Sequence, residues 1–234
     1  MKITSLQNKQ IVDINKLHQK KYRDIENKFL VEGDHLIKEA TKANKIISTI
    51  GLDDSYDLEV TKEVLDKLSS QASGTNEIAV VEKLDERKIN GNVVILDNIQ
   101  DPGNLGTIIR SAVAFNIDTL ILSDNSVDLY NDKVIRSSEG MIFHLNILRR
   151  KLKDVILDLK ENGYKIYATT VNGNGDFEND DKIALVIGNE GNGISDEILK
   201  LCDKNITIKM NNLCESLNAG VCASILMYKM GDIK

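Results

Sequence analysis

Three loops carry the residues whose types and spacing can do chemistry. In DNIQDPGNLGTIIR (97–110) Pro102, the only proline of the chain, and Gly103 make a turn. Asn104 is placed to cap the helix that follows, and Gly106 lets a ligand approach its first turn. Arg110 falls about 600° past Asn104 at the helical repeat, on another face toward Gly103 and Gly106. Taken alone, the loop reads equally as a plain strand-to-helix turn with a surface arginine. GNEGNGIS (188–195) sets three glycines around one carboxylate. A backbone that approaches a ligand needs so many glycines and a structural turn seldom does, although a loose surface loop remains the alternative. Asn189 and Glu190 then stand at a strand end. In IKMNNLCESLNAGVCASILMYKM (208–230) Ser216 can cap a helix whose Val221, Ala223, Ile225 and Leu226 are apolar, with the Asn218 amide near the unpaired N–H groups of the first turn.

A scaffold must hold these loops. Six apolar runs, VVILD (93–97), TLILS (119–123), FHLNIL (143–148), YKIYATT (164–170), IALVIG (183–188) and NITIKM (205–210), alternate with helical patterns at 105–115, 131–138, 149–162, 195–202 and 216–230. Strands without polar alternation, interleaved with helices, predict a parallel sheet covered on both faces, where ligands sit beyond the carboxyl ends of strands. Upstream, Ile11, Ile14, Leu17 and Ile25 at helical spacing predict one amphipathic helix over 9–24 with Lys9, Lys16 and Lys20 on its outer face. FLVE (29–32), KIISTI (45–50) and EIAVVEK (77–83) read as strands. Gly33 reads as a turn, with Asp34 and Thr61 capping the helices between the strands. The charged stretch LDERKING (84–91) reads as a linker. The expected organisation is a small α/β domain over 1–86 and a larger α/β parallel-sheet domain over 91–234.

The chain has 234 residues, 41% of them hydrophobic, enough for a buried core. It has no apolar run of the roughly 18 residues a membrane span needs, and MKITSLQNKQIVDINK lacks the apolar stretch of a signal peptide. A cytoplasmic protein with no membrane partner is expected. Net charge is −6, which argues against nonspecific binding to nucleic acid. Residues 1–45, however, hold ten Lys/Arg against six Asp/Glu, a net +4 that leaves −10 for the remainder. A polyanion would therefore meet the N-terminal segment, unless its lysines are only a solvated helix face. Cys202, Cys214 and Cys222 form no CxxC pair and read as buried thiols rather than a disulfide or zinc set. His18, His35 and His144 have no metal-ligand spacing, so no metal is expected. GxxxxGK[ST] is absent, and no GxGxxG follows the first strand of the second domain, so a Rossmann-type oxidoreductase would lack its phosphate turn.

Together the three loops resemble the motifs of the SpoU family of RNA 2'-O-ribose methyltransferases, within the SPOUT superfamily, over nearly the full length. DNIQDPGNLGTIIRSA is similar to the first motif, LVIGNEGNGIS to the second, and SLN (216–218) sits in the third; FLVEGDHLIKEA resembles the substrate-binding domain of members that act on ribosomal RNA. The resemblance implies a deep trefoil knot in the C-terminal domain, a homodimer formed through that domain, and S-adenosylmethionine as cofactor. It implies that Gly188, Ile208, Leu217, Thr170, Asn189 and Met210 contact the cofactor, and that Arg110, Asn104, Glu190, Ser216 and Asn218 line the reaction site. The expected substrate is RNA, ribosomal and of the large subunit. Transfer RNA and a catalytically inactive RNA-binding relative are the alternatives. The chain departs from the family at Lys209, where a proline is usual before the methionine of the third motif, and at Gly220, where larger or alanine-like residues are common.

Overall fold

The computed structural model describes residues 2–173, 175–211, 213, 214 and 216–231. The order of elements runs α1 (Lys9–Asn15), a 3-10 turn at Lys16–His18, α2 (Lys20–Glu26), β1 (Lys28–Glu32), α3 (Asp34–Lys42), β2 (Ile46–Gly51), β3 (Leu58–Glu59), α4 (Lys62–Leu68) and β4 (Glu77–Glu82). It continues with β5 (Val93–Leu96), α5 (Pro102–Ala114), β6 (Thr119–Leu122), α6 (Asp132–Ser137), β7 (Asn146–Arg149), α7 (Leu152–Glu161), β8 (Lys165–Thr169), β9 (Ile183–Ile187), α8 (Asp196–Leu199), β10 (Lys204–Ile206) and α9 (Ala219–Gly231). Two compact units result: Met1–Asp85 with Asp128–Phe143, and Glu86–Val127 with His144–Lys234.

In the first unit a four-stranded sheet of order β1-β4-β2-β3 carries antiparallel pairs β1·β4 and β2·β4, and a short parallel pair β2·β3. Ile11, Leu30, Ile50, Val64, Leu65 and Ile78 are buried in its core. The segment Asp128–Phe143 joins this unit through aromatic packing, with the Phe29 ring 4.7 Å from Tyr130 and 6.2 Å from Phe143. The single helix expected over 9–24 is in fact three pieces, because Gln19 is extended (φ −97°, ψ 129°) and the helix restarts in a new phase. Ile25, expected on the apolar stripe, is consequently 64% exposed, whereas Arg23 is buried. Its guanidinium donates to the Leu17 and His18 carbonyls, each at 2.8 Å, and pairs with Asp128. One of the N-terminal cations thus holds the break together instead of facing solvent. Asp34 is the first helical residue of α3 rather than its cap, a place occupied by Gly33 at φ +92°.

In the second unit a six-stranded sheet has the order β10-β8-β9-β5-β6-β7, parallel throughout. Every residue of β5, β6 and β9 is buried, as sheets covered on both faces require. The strand expected at 143–148 begins at Asn146, since Met141–His144 forms a 3-10 turn. Asn146 opens β7 by pairing its side chain with the Arg87 backbone, accepting from its N–H at 2.9 Å and donating to its carbonyl at 3.2 Å. The backbone at Arg87 is thereby fastened to the start of the sheet. Both β9 and β5 end at the loops that carry the candidate residues.

Candidate functional site

The loop after β5 starts α5 three residues earlier than Asn104 would. Asp101 is the N-cap: its carboxylate accepts the Asn104 N–H at 2.8 Å, with Pro102 opening the helix, where its missing N–H costs nothing. The capping role expected of Asn104 therefore belongs to Asp101, and the buried Asn104 side chain is free for other partners. It donates to Glu190 at 2.9 Å and accepts from the Asn218 amide at 2.8 Å. Asn218 in turn accepts the N–H groups of Gly220 and Val221, at 2.9 and 3.2 Å. It thus stands immediately before α9 as the cap expected of Ser216. Ser216 lies three residues ahead of the helix, exposed.

These bonds form a directional relay across all three loops. Free helical N–H groups at one end fix the Asn218 oxygen toward α9, which turns its NH2 toward Asn104; the Asn104 NH2 then points at a carboxylate. Glu190 also accepts the backbone N–H groups of Gln100 and Asp101, each at 3.2 Å. Burial pushes the Glu190 carboxyl upward, but the Asn104 amide and these backbone donors outweigh it and hold the group below the usual carboxylate range. An ionised Glu190 only accepts, which suits every donor around it.

The glycines of 188–195 serve the turn itself. A Cβ on Gly188 would meet the Gly193 carbonyl carbon at 2.2 Å, because Asn189 and Gly193 exchange backbone hydrogen bonds of 2.9 and 3.0 Å. Gly193 adopts φ +69°. Close approach of protein backbone thus explains Gly188, and a left-handed backbone conformation explains Gly193, with no ligand needed for either. Gly220 has a comparable cause: its Cβ would stand 3.2 Å from the Asn218 oxygen and 3.3 Å from Thr107, so its small size lets α9 pack on α5. There Ser111 and Ser224 meet at 2.6 Å. Lys209 is exposed.

Beside the relay lies a cavity whose lining includes Gly188, Ile208, Leu217, Thr170, Asn189 and Met210, together with Glu190 and Ser216. The structure thus brings the expected cofactor residues into one wall system. Val171, Ile187, Thr207, Cys222 and Leu226 also line it and are not among the residues expected from the sequence, although their positions at or just after strand ends or on α9 are a usable signal. The backbone groups of Ile208 and Leu217 make no hydrogen bond among the described residues, and so present donors and acceptors beside apolar side chains. Apolar walls with open backbone polar groups fit an adenine ring and its edge.

Arg110 stands apart. It is exposed and has no hydrogen bond or ion pair among the described residues, whereas Asn104 is buried. The thiols also differ from expectation: Cys214 is exposed, and Cys202 and Cys222 are half-buried. Burial pushes Cys202 up to about 11, which leaves it a poor nucleophile. His18 bonds Asp132 and the Leu68 carbonyl, and His35 bonds the Glu139 carbonyl, so both are structural. No helix among the described residues is long and apolar enough to cross a membrane.

Comparison with known proteins places this geometry. Residues 91–228 match the SpoU rRNA Methylase family, and residues 8–87 match the MRM3-like substrate binding domain. The chain is 35% identical, over 97% of its length and 98% of the relative's, to the 23S rRNA (guanosine(2553)-2'-O)-methyltransferase RlmP of Bacillus subtilis. Among solved structures it is similar to the SpoU methyltransferase AviRb of Streptomyces viridochromogenes in complex with the cofactor AdoMet (TM-score 0.84, 26% identity, covering 97% of this chain and 98% of that one). It is also similar to an AdoMet-bound rRNA methyltransferase from Sinorhizobium meliloti (TM-score 0.87, 26% identity, 98% of this chain and 96% of that one covered). The chain belongs to the SpoU rRNA methylase family and is, with that family, a methyltransferase that uses S-adenosylmethionine.

Proposed function

We propose that the protein methylates a ribose 2'-hydroxyl of large-subunit ribosomal RNA. The observation that carries the reading is the relay Asn218–Asn104–Glu190, which ties three loops together beside one cavity while Arg110 has no partner among the described residues. The full-length likeness to a 23S rRNA 2'-O-methyltransferase supports the choice of RNA.

When bound, S-adenosylmethionine supplies an electrophilic methyl on a sulfonium centre. Gly188, Ile208, Leu217, Thr170, Asn189 and Met210 would hold it in the cavity, and the protein's task is to bring the hydroxyl oxygen in line and let its proton pass to water. A guanidinium has no lone pair to offer as a base in water, so Arg110 acts by gripping the adjacent phosphate and orienting the hydroxyl. Asn104, Glu190 and Asn218 position the loops. Ser216, exposed at the cavity rim, is the remaining polar side chain offered to the ribose.

The same proposal assigns residues 1–86 to RNA binding and 91–234 to catalysis, in a cytoplasmic homodimer. The exposed apolar side chains Val221 and Tyr228 on α9 support pairing through the catalytic domain. It also includes a trefoil knot. After β10, at the sheet edge, the chain returns to place α9 against α5, and a return of this kind can thread the loop between β8 and β9. Knots are otherwise nearly absent from proteins.

Incubation with labelled S-adenosylmethionine and unmodified large-subunit rRNA, small-subunit rRNA and bulk tRNA, followed by mapping of ribose methylation, tests the reading. Label in large-subunit rRNA is expected. Label only in tRNA, or in none of the three, overturns it.

A further inference from the structure

A second pocket lies on the other side of the 188–195 loop, open and of about 500 Å³. Asn98, Gln100, Asn125, Asn189, Asn192 and Ser195 line it, and no charged side chain does among the described residues. Some of these amides are already committed. Gln100 donates its NH2 to the Asn98 and Asn125 carbonyls, at 3.3 and 2.8 Å, and Asn189 accepts the N–H groups of Gly191 and Asn192 at 2.9 and 3.0 Å. Others are open: among the described residues the Gln100 amide oxygen accepts no hydrogen bond, and the side chains of Asn125 and Asn192 make none.

The walls are braced. Ser123 accepts the Asn98 N–H at 2.9 Å, and the Arg149 guanidinium gathers the carbonyls of Ser123, Asp124, Ser126 and Val127 around the loop that carries Asn125. Asp97 accepts both the N–H and the hydroxyl of Ser195 at 2.8 Å. Asn189 and Gly193 line this pocket and the cofactor cavity alike. A ligand here would therefore be separated from the methyl donor by one loop.

A phosphate group would call for cations, which this pocket lacks. Side-chain amides present a donor beside an acceptor, the pattern that reads the edges of unpaired bases, and sequence-specific RNA recognition works on such splayed-out bases. We infer that this amide-lined pocket receives a nucleobase of the substrate RNA by its hydrogen-bonding edge, either the target base or its immediate neighbour, and contributes to the choice of nucleotide. The inference rests on the RNA methyltransferase reading proposed above.

The test uses the full-length protein and an rRNA fragment that the wild type methylates, with the target base and each neighbour replaced in turn. The double variant Asn125→Ala, Asn192→Ala removes two exposed amides that bond nothing in the protein, so its melting temperature and S-adenosylmethionine affinity should match wild type. The wild type should lose kcat/KM by about tenfold or more on replacing one of these bases, the order expected for one bidentate base contact. The double variant should be correspondingly slower on the native fragment and indifferent to that replacement. Unchanged rate and unchanged base preference in the double variant, with wild-type methylation intact, overturn the pocket and leave the methyltransferase reading standing. Failure of the wild type to methylate any RNA overturns both.

Discussion

Asn104 and Arg110 lie on the same helix, six positions apart in sequence, yet differ in every respect that matters to chemistry. Asn104 is buried, with both ends of its amide taken up by Glu190 and Asn218; Arg110 is exposed and has no partner among the described residues. A side chain whose hydrogen-bonding capacity is used inside the protein positions its neighbours. One whose capacity is open can meet a substrate. On the proposed mechanism this separates Asn104, Glu190 and Asn218, bonded to one another, from Arg110 and Ser216, whose exposed side chains are open to a substrate, a division that residue type alone could not make.

Breaking the open side should have the largest effect on catalysis. Arg110→Ala is expected to lower kcat for RNA methylation about 10²–10³-fold, the order for one lost electrostatic contact to reacting groups. Thermal midpoint and S-adenosylmethionine affinity should stay at wild-type values, as calorimetry would show. A matching loss of stability would place Arg110 among the positioning residues.

Breaking the closed side should show in stability. Asn104→Ala deprives the Asn218 amide of its acceptor and Glu190 of a donor at a buried position, at a cost of about 1–3 kcal/mol in denaturant unfolding. Cofactor affinity should fall with it, since the three loops lose their common tie. Glu190→Gln is milder because the carboxylate is partly solvent-exposed: about 1 kcal/mol, from an NH2 group turned toward neighbouring donors. Its pH dependence sharpens the point. The folded carboxyl lies below its unfolded value, so its stabilisation is fully present above the unfolded range, near roughly pH 4, and is lost as pH falls through the lower folded value. The wild-type advantage over Glu190→Gln should therefore be full at neutral pH and shrink under acid.

The smallest effect belongs to the other unit. The Asp132 hydrogen bond raises the His18 pKa against the opposing effect of burial. Its stabilisation is complete below the unfolded histidine value near roughly 6.5 and disappears as pH rises through the folded value. His18→Gln should flatten that slope in unfolding curves without changing methyl transfer at the catalytic unit.

Much of this architecture was legible from the sequence because it rests on short-range patterns. The apolar runs marked the strands of the parallel sheet, and the three loops marked where a site would gather. Errors arose where a side chain's partner lies far along the chain. Asn104 looked like a cap because capping is a local property, but Asp101 took that role, and the partners of Asn104 lie 86 and 114 positions away. Arg23 enters the sequence reading only as one of the N-terminal charges, yet it bonds carbonyls exposed by a helix break that hydrophobic periodicity alone does not reveal. Gly188 and Gly193 looked like ligand glycines, and were explained only by the loop's backbone folding on itself.

The most direct test of the division between positioning and reacting residues is single-turnover methylation by Arg110→Lys, with S-adenosylmethionine affinity measured in parallel. The charge is kept while the planar fork that grips a phosphate and orients a hydroxyl is lost. Wild-type cofactor affinity with a rate at least about tenfold lower is the expected result. A near-normal rate would contradict the role given to the Arg110 guanidinium.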